Sequence, residues 1–169
     1  RPVRGWGMST IAEAQARLLD DPQAIGRLGD LRGWTETAIR KLGLGLHDGR
    51  VLIPVLDATG DVASLLRYQP NPERREGQPK TIAAPGGRRE LFPPPETLPA
   101  DEPVWIVEGE ADSIAGHSIG LAVTAVPGSN GWTTDWAARF AGRHVIVCCD
   151  CDQPGRGLAG RVASDLAPV

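Results

Sequence analysis

From residue 103 onward the chain repeats one order, apolar strand then helix, and this order constrains the fold more than any other feature. Residues 104–107, 122–126 and 144–149 are short runs of the buried-strand type. Residues 111–119, 133–140 and 155–166 carry helical spacing. Strands alternating with helices predict an α/β fold, a mostly parallel sheet with helices on both faces. In such sheets functional groups gather at the carboxyl ends of the strands.

Two of these strand ends are acidic. The first reads Trp105-Ile-Val-Glu108-Gly109-Glu110-Ala-Asp112 and the second Val145-Ile-Val-Cys-Cys-Asp150-Cys-Asp152-Gln-Pro-Gly155. Glu108 comes directly off a strand, and Gly109 allows a sharp turn. Asp150 and Asp152 alternate by two and can point the same way. Clustered carboxylates repel unless a cation sits among them. Oxygen-rich sites of this kind suit Mg²⁺, and the expected chemistry is phosphoryl transfer. Taken singly, Glu-Gly is uninformative and Asp-x-Asp is an ordinary turn or cap. The pair, each in the context its chemistry needs, reads as a site. Asp112 either serves a metal-bound water or favours the first turn of its helix.

The first third is helical in pattern. Thr10 and Glu13 form a capping box ahead of Ile11, Ala14, Leu18 and Leu19. Asp20-Asp21-Pro22 ends that helix or opens another. Thr35 caps a helix through Leu42, with Gly43 as its stop. Residues 50–56 and 61–68, joined by Asp57-Ala-Thr-Gly60, read as a β-hairpin. Pro54 belongs at an edge or a bulge. Residues 80–84 suggest a short strand, and Pro93-Pro94-Pro95 with Pro99 a connector. The expected division is residues 1–100, a small α+β subdomain, and 101–169, the βα region.

The chain has 18 Lys and Arg against 21 Asp and Glu, a net charge of −3. That excludes a uniformly basic nucleic-acid coat. A local strip survives: residues 67–89 hold Arg67, Arg74, Arg75, Lys80, Arg88 and Arg89 against Glu73 and Glu76. Such a patch either meets phosphates or is a solvated loop. No apolar run approaches the ~20 residues needed to cross a bilayer. Cys148, Cys149 and Cys151 are odd in number and adjacent, so no disulfide framework is expected, in keeping with a reducing cytoplasm. Their ordinary reading is small buried apolar residues on a strand. Trp105 reads as core. Trp132 and Trp136 are either base-stacking or, the favoured reading, packed on the sheet.

The two acidic motifs resemble the signatures of a Toprim domain, the fold shared by topoisomerases, DnaG-type primases, recombination mediators and some nucleases. The resemblance implies Glu108 as general acid/base or metal ligand, and Asp150 and Asp152 as ligands of Mg²⁺ (or Mn²⁺). Pro127-Gly128-Ser129-Asn130-Gly131 resembles the loop after the second Toprim strand, where Gly128 would allow close backbone approach. Upstream, Leu31-Arg-Gly-Trp-Thr-Glu-Thr-Ala-Ile-Arg-Lys-Leu-Gly-Leu-Gly45, Gly49-Arg50-Val-Leu-Ile-Pro54, Leu66-Arg67-Tyr68, Pro79-Lys80 and Leu91-Phe92 resemble the catalytic core of phage, plasmid and bacterial primases. That implies phosphate contacts for Arg67 and Lys80, with Arg88, Arg89 and Arg156 as weaker candidates.

The implied activity is template-directed synthesis of RNA primers on single-stranded DNA from NTPs, in replication of a phage, plasmid or mobile element. The implied partner is a replicative helicase, in trans or fused. Glu110 departs from the hydrophobic or aromatic residue of many cellular primases; acidic Glu-Gly-Glu is more usual in phage and plasmid primase-helicases. The family's sheet continues past the Asp-x-Asp helix, so a further strand beyond Val169 is expected. No Gly-x-x-x-x-Gly-Lys-Ser/Thr is present for a helicase motor. A Toprim nuclease and a non-catalytic DNA-binding Toprim module are the alternatives. A topoisomerase is disfavoured, because the only tyrosine, Tyr68, lies in a hairpin strand.

Overall fold

The computed structural model describes residues 6–70, 73 and 76–168. Arg74 and Arg75 of the basic strip lie outside the described residues. The chain forms two compact units, Arg1–Arg88 and Arg89–Val169.

The first unit opens with α1 (Met8–Leu19), α2 (Pro22–Arg32) and α3 (Glu36–Lys41). The expected Thr10–Glu13 box is not used: α1 begins three residues earlier, with Gly7 at its N-cap and no side-chain cap. Asp21 caps α2 by accepting from Ala24 N–H, and Thr35 caps α3 through Ala38 N–H. An antiparallel sheet follows, in the order β1 (Gly45–His47), β2 (Arg50–Leu56), β3 (Val62–Tyr68), β4 (Thr81–Ala83). Pro54 lies in the interior strand β2, not on a sheet edge. It is tolerated because β1 pairs only with Arg50–Leu52, so β2 needs no donor towards β1 at Pro54. Ile11 and Ala14 of α1 pack on Leu52, Leu65 and Ala84. Gly45 lets α1 lie directly on β1, since a Cβ there would meet the Ala14 backbone at 2.7 Å.

The second unit is a parallel sheet in the order β6 (Ala122–Val126), β5 (Val104–Glu108), β7 (Val145–Cys148). Helix α4 (Glu110–Ser118) follows β5, and α5 (Gln153–Leu166) follows β7. Residues 133–140, expected as a helix, form a 3₁₀ helix over Thr134–Phe140 rather than an α-helix. Leu158 and Val162 of α5 are fully buried with Val104, Ile106, Ala122 and Val126. The opposite face carries α4, where Gly116 is so close to Val123 that a Cβ would meet its Cγ2 at 2.4 Å. Trp105 is half-buried, not core.

Pro93-Pro94-Pro95 and Pro99, expected as a connector between subdomains, belong to this second unit, which begins at Arg89. Phe92 bridges Ala125 on β6, and Thr124 Oγ1 donates to Pro93 O at 2.8 Å. Arg139 holds Glu96 through two bonds of 2.7 and 2.8 Å and also pairs with Glu90. Arg143 donates to the Pro95, Leu98 and Pro99 carbonyls. These charges are unlike ordinary surface pairs: the Arg139 and Glu90 side chains are only 15% and 13% exposed. Breaking such a pair strands a buried charge, so Arg139→Ala should cost about 3 kcal/mol of urea stability. Arg40→Ala, which removes an exposed pair with Glu36, should cost less than about 1 kcal/mol. Equal losses in the two variants would contradict this account of the connector.

Candidate active site

The β5–β7 register pairs Val107 with Cys148, and this places Glu108 beside the chain as it leaves β7 towards Asp150. Gly109 follows Glu108 with φ +93° and ψ 145°, a backbone region open essentially to glycine alone. Its N–H continues the ladder to Val126 O at 3.0 Å, while the chain turns into α4. The Glu-Gly pair thus ends the strand and starts the helix within one residue. Asp112 lies in the first turn of α4, exposed, with its N–H on Gly109 O.

The second motif is equally constrained. Asp152 is the N-cap of α5, and its Oδ1 accepts from Gly155 N–H at 2.8 Å. Gly155 is seated on the Asp150 backbone: a Cβ there would lie 2.2 Å from Asp150 O. Arg156 donates to Cys151 O and braces the same loop from the helix. The spacing Asp-x-Asp-x-x-Gly is therefore one structural unit: a cap, its donor, and the glycine that lets helix and loop touch.

Electrostatics joins the two motifs. Burial first, then the charges of Asp150 and Asp152, push the Glu108 carboxyl above its ordinary value of 4.5. The Ser129 N–H and hydroxyl oppose this. Glu108 Oε2 is buried and has no hydrogen-bond partner. Neighbouring Glu110 is also pushed up, chiefly by burial and then by Asp112. Among the described residues no three His, Cys, Asp or Glu side chains already converge as a ready-made metal cage. Asp152 Oδ1 is engaged by its cap, which leaves Oδ2 as the freer of its two oxygens. The donor set is nonetheless all oxygen, the kind that hard divalent cations take. The unpartnered Glu108 oxygen, in the field of two more carboxylates, is a place a cation fits.

The loop after β6 supplies Ser129, which the sequence pattern did not single out; a polar residue inside Pro-Gly-Ser-Asn-Gly was its only signal. Gly128 turns this loop with φ +77° and has open space around it. Within the loop, Gly131 packs closely on Pro127, where a Cβ would meet the Pro127 carbonyl oxygen at 2.5 Å. Arg89 donates to Asn130 O at 3.3 Å. Trp132 and Trp136 pack on the core of this unit, and Trp132 Nε1 donates to Asp165. The cysteines depart from expectation. Cys148 and Cys151 are exposed at the strand end, and only Cys149 is partly buried. Burial, then Glu108, Cys148 and Asp150, push the Cys149 thiol up to about 11.

The other basic candidates lie in the first unit. Arg67 sits on β3 opposite Ile82, and its Nε is buried without a hydrogen-bond partner. Gln69 N–H bonds Lys80 O, which carries the β3–β4 ladder past the Arg67–Ile82 pair to Lys80. Lys80 is exposed, with Nζ 5.6 Å from the Tyr68 ring. Arg88 is committed to Asp57 at 2.7 Å, across the hairpin turn. The Thr59 hydroxyl first, and then this pair with Arg88, hold the Asp57 carboxyl far below the usual range.

No protein-family model matches this chain, and no curated protein matches it. Solved structures do. A structure of the DnaG catalytic core superposes with a TM-score of 0.72 at 20% identity, covering 95% of this chain and 66% of that one. The DnaG primase catalytic domain bound to single-stranded DNA gives 0.71 at 19%, covering 95% and 64%. The Aquifex aeolicus primase, with zinc-binding and RNA polymerase domains, gives 0.66 at 19%, covering 98% and 54%. The chain thus spans between about half and two thirds of the structures it matches. The fold is that of the primase Toprim core, as the α/β reading of the sequence expected.

Two outcomes follow from this geometry. Gly155→Ala should cost at least about 2 kcal/mol, because a methyl group is forced onto a backbone oxygen. Gly160→Ala in the same helix meets nothing within 4 Å and should stabilise by about 0.5–1 kcal/mol. For Glu108 the folded state holds the proton more tightly than the unfolded chain. Its contribution to stability is therefore greatest below pH 4.5 and declines as pH rises through the raised value. Urea midpoints in EDTA should show Glu108→Gln gaining on the unsubstituted protein from pH 4.5 to 7. A pH-independent gap would contradict the raised value.

Proposed function

We propose that this chain is the catalytic core of a primase, joining ribonucleotides on single-stranded DNA. The observation that carries this reading is the unpartnered Glu108 oxygen in the field of Asp150 and Asp152. The three acids stand at neighbouring strand ends of a primase-type sheet. In the reaction a primer 3′-hydroxyl attacks the α-phosphorus of an NTP. A P–O bond forms to the primer, and the bond to pyrophosphate breaks.

Glu108, Asp150 and Asp152 would hold Mg²⁺ or Mn²⁺, with Asp112 close by on α4. The bound ion would supply charge neutralisation at the attacking and leaving oxygens. In the alternative role, general base rather than ligand, Glu108 would accept the proton of the 3′-hydroxyl. Arg67, with a guanidinium nitrogen unsatisfied inside the first unit, and exposed Lys80 are suited to phosphates of template or nucleotide. Such contacts fix position and read little sequence. Arg89 and Arg156 are engaged with backbone carbonyls, and Arg88 with Asp57, so their proposed share in phosphate contact is smaller. The acidic Glu-Gly-Glu motif favours a phage, plasmid or mobile-element replication protein, working with a helicase in trans or fused.

Labelled NTPs, single-stranded DNA and Mg²⁺ or Mn²⁺ on one gel test this, with Asp150→Asn as control. New short oligomers that disappear in the control, and on adding EDTA, are the expected result. Shortened template lost in the control would establish a nuclease instead. Lys80→Ala should weaken single-stranded DNA binding alike for all sequences and lower the slope of log K against log salt by about 0.7. An unchanged slope would remove Lys80 from the phosphate path.

A further inference from the structure

Helix α5 does more than carry Leu158 and Val162 into the core. Its first turn is fastened to the Asp150–Asp152 loop in three ways: Asp152 caps it, Gly155 rests on the Asp150 carbonyl, and Arg156 donates to Cys151 O. About 13 Å further along, at 1.5 Å per residue, it is fastened again. Arg161 donates to Ser129 O, and Asp165 accepts from Trp132 Nε1 at 2.8 Å. Arg161 and Asp165 are four residues apart and share one helix face. They grip the loop that faces Ser129 towards Glu108. Trp132 cannot swing away, because its ring packs at 6.0 Å from Trp136 and 6.2 Å from Phe140.

We propose that Arg161 and Asp165 are positioning residues. Through α5 they couple the 127–132 loop to the Asp150–Asp152 loop, so the donors facing Glu108 and the two aspartates keep one spacing. The proposal rests on the reading of these acids as a single cation site. It also gives the Trp132 indole a role of its own: its N–H is spent on the helix.

The test uses Arg161→Ala, Trp132→Phe and their combination. Phe keeps the packed ring and removes the N–H. Arg161 is exposed, so Arg161→Ala alone serves if the combination does not fold. Hydrogen exchange by mass spectrometry is read over residues 127–132 and 150–156, and Mn²⁺ affinity by electron paramagnetic resonance. Faster exchange in both segments is expected, with Mn²⁺ bound about tenfold more weakly, the usual loss when a group behind a ligand is removed. Arg161→Lys, which keeps a cationic donor on the same helix face, should restore both. Faster exchange in 127–132 alone, with Mn²⁺ affinity unchanged, would overturn the proposal. Asp150→Asn separates the two readings. If it binds Mn²⁺ as tightly as the unsubstituted protein, the cation reading has failed, and the exchange pattern alone then decides the coupling.

Discussion

The parallel ladder between β5 and its two neighbours is the constraint on which the site depends. It fixes the three strand ends in register, and only then do residues 108, 129 and 150 come near one another. Parallel pairing demands crossovers that place helices on the faces, which leaves the carboxyl ends of the strands for chemistry. What leaves those ends is decided by glycine. Gly109 turns the chain where a side chain would be strained, and Gly155 lets a helix rest on a loop backbone.

The price of this arrangement is electrostatic. The charges of Asp150 and Asp152 act on Glu108, which has a buried oxygen with no hydrogen-bond partner. A fold that needed only stability would not keep this, since an unpartnered buried acceptor costs about 1–3 kcal/mol. The Ser129 donors offset part of it. The loop carrying Ser129 is held by Arg89, Arg161 and the Trp132–Asp165 bond. Stability is thus concentrated around a group that is itself unfavourable, a pattern that clusters at functional sites.

The fold was largely legible in the sequence because its strongest signals are local. Strand–helix alternation, the Thr35 cap and the hairpin around Asp57–Gly60 each depend on neighbours in the chain. What escaped depended on distant partners. The Thr10–Glu13 box was outcompeted by a helix starting at Met8, beyond any signal in that box. Residues 93–99 looked like a connector from their prolines. Arg139 and Arg143, some forty residues away, bind them to the second unit. The acids were legible as motifs, and so was the glycine in each. Ser129 and the Arg161–Asp165 grip were not, because their meaning arises only when α5 lies across the loop. Cys148 and Cys151 were misread because β7 is the edge of the described sheet and its end is open.

The central claim is that Glu108, Asp150 and Asp152 form one cation site. Anomalous scattering from crystals grown with Mn²⁺ tests it most directly. The account predicts a peak within coordination distance of Glu108 Oε2 and of an Asp150 oxygen, absent in crystals of Glu108→Gln. A peak held by other residues, or one that persists in that variant, would contradict it.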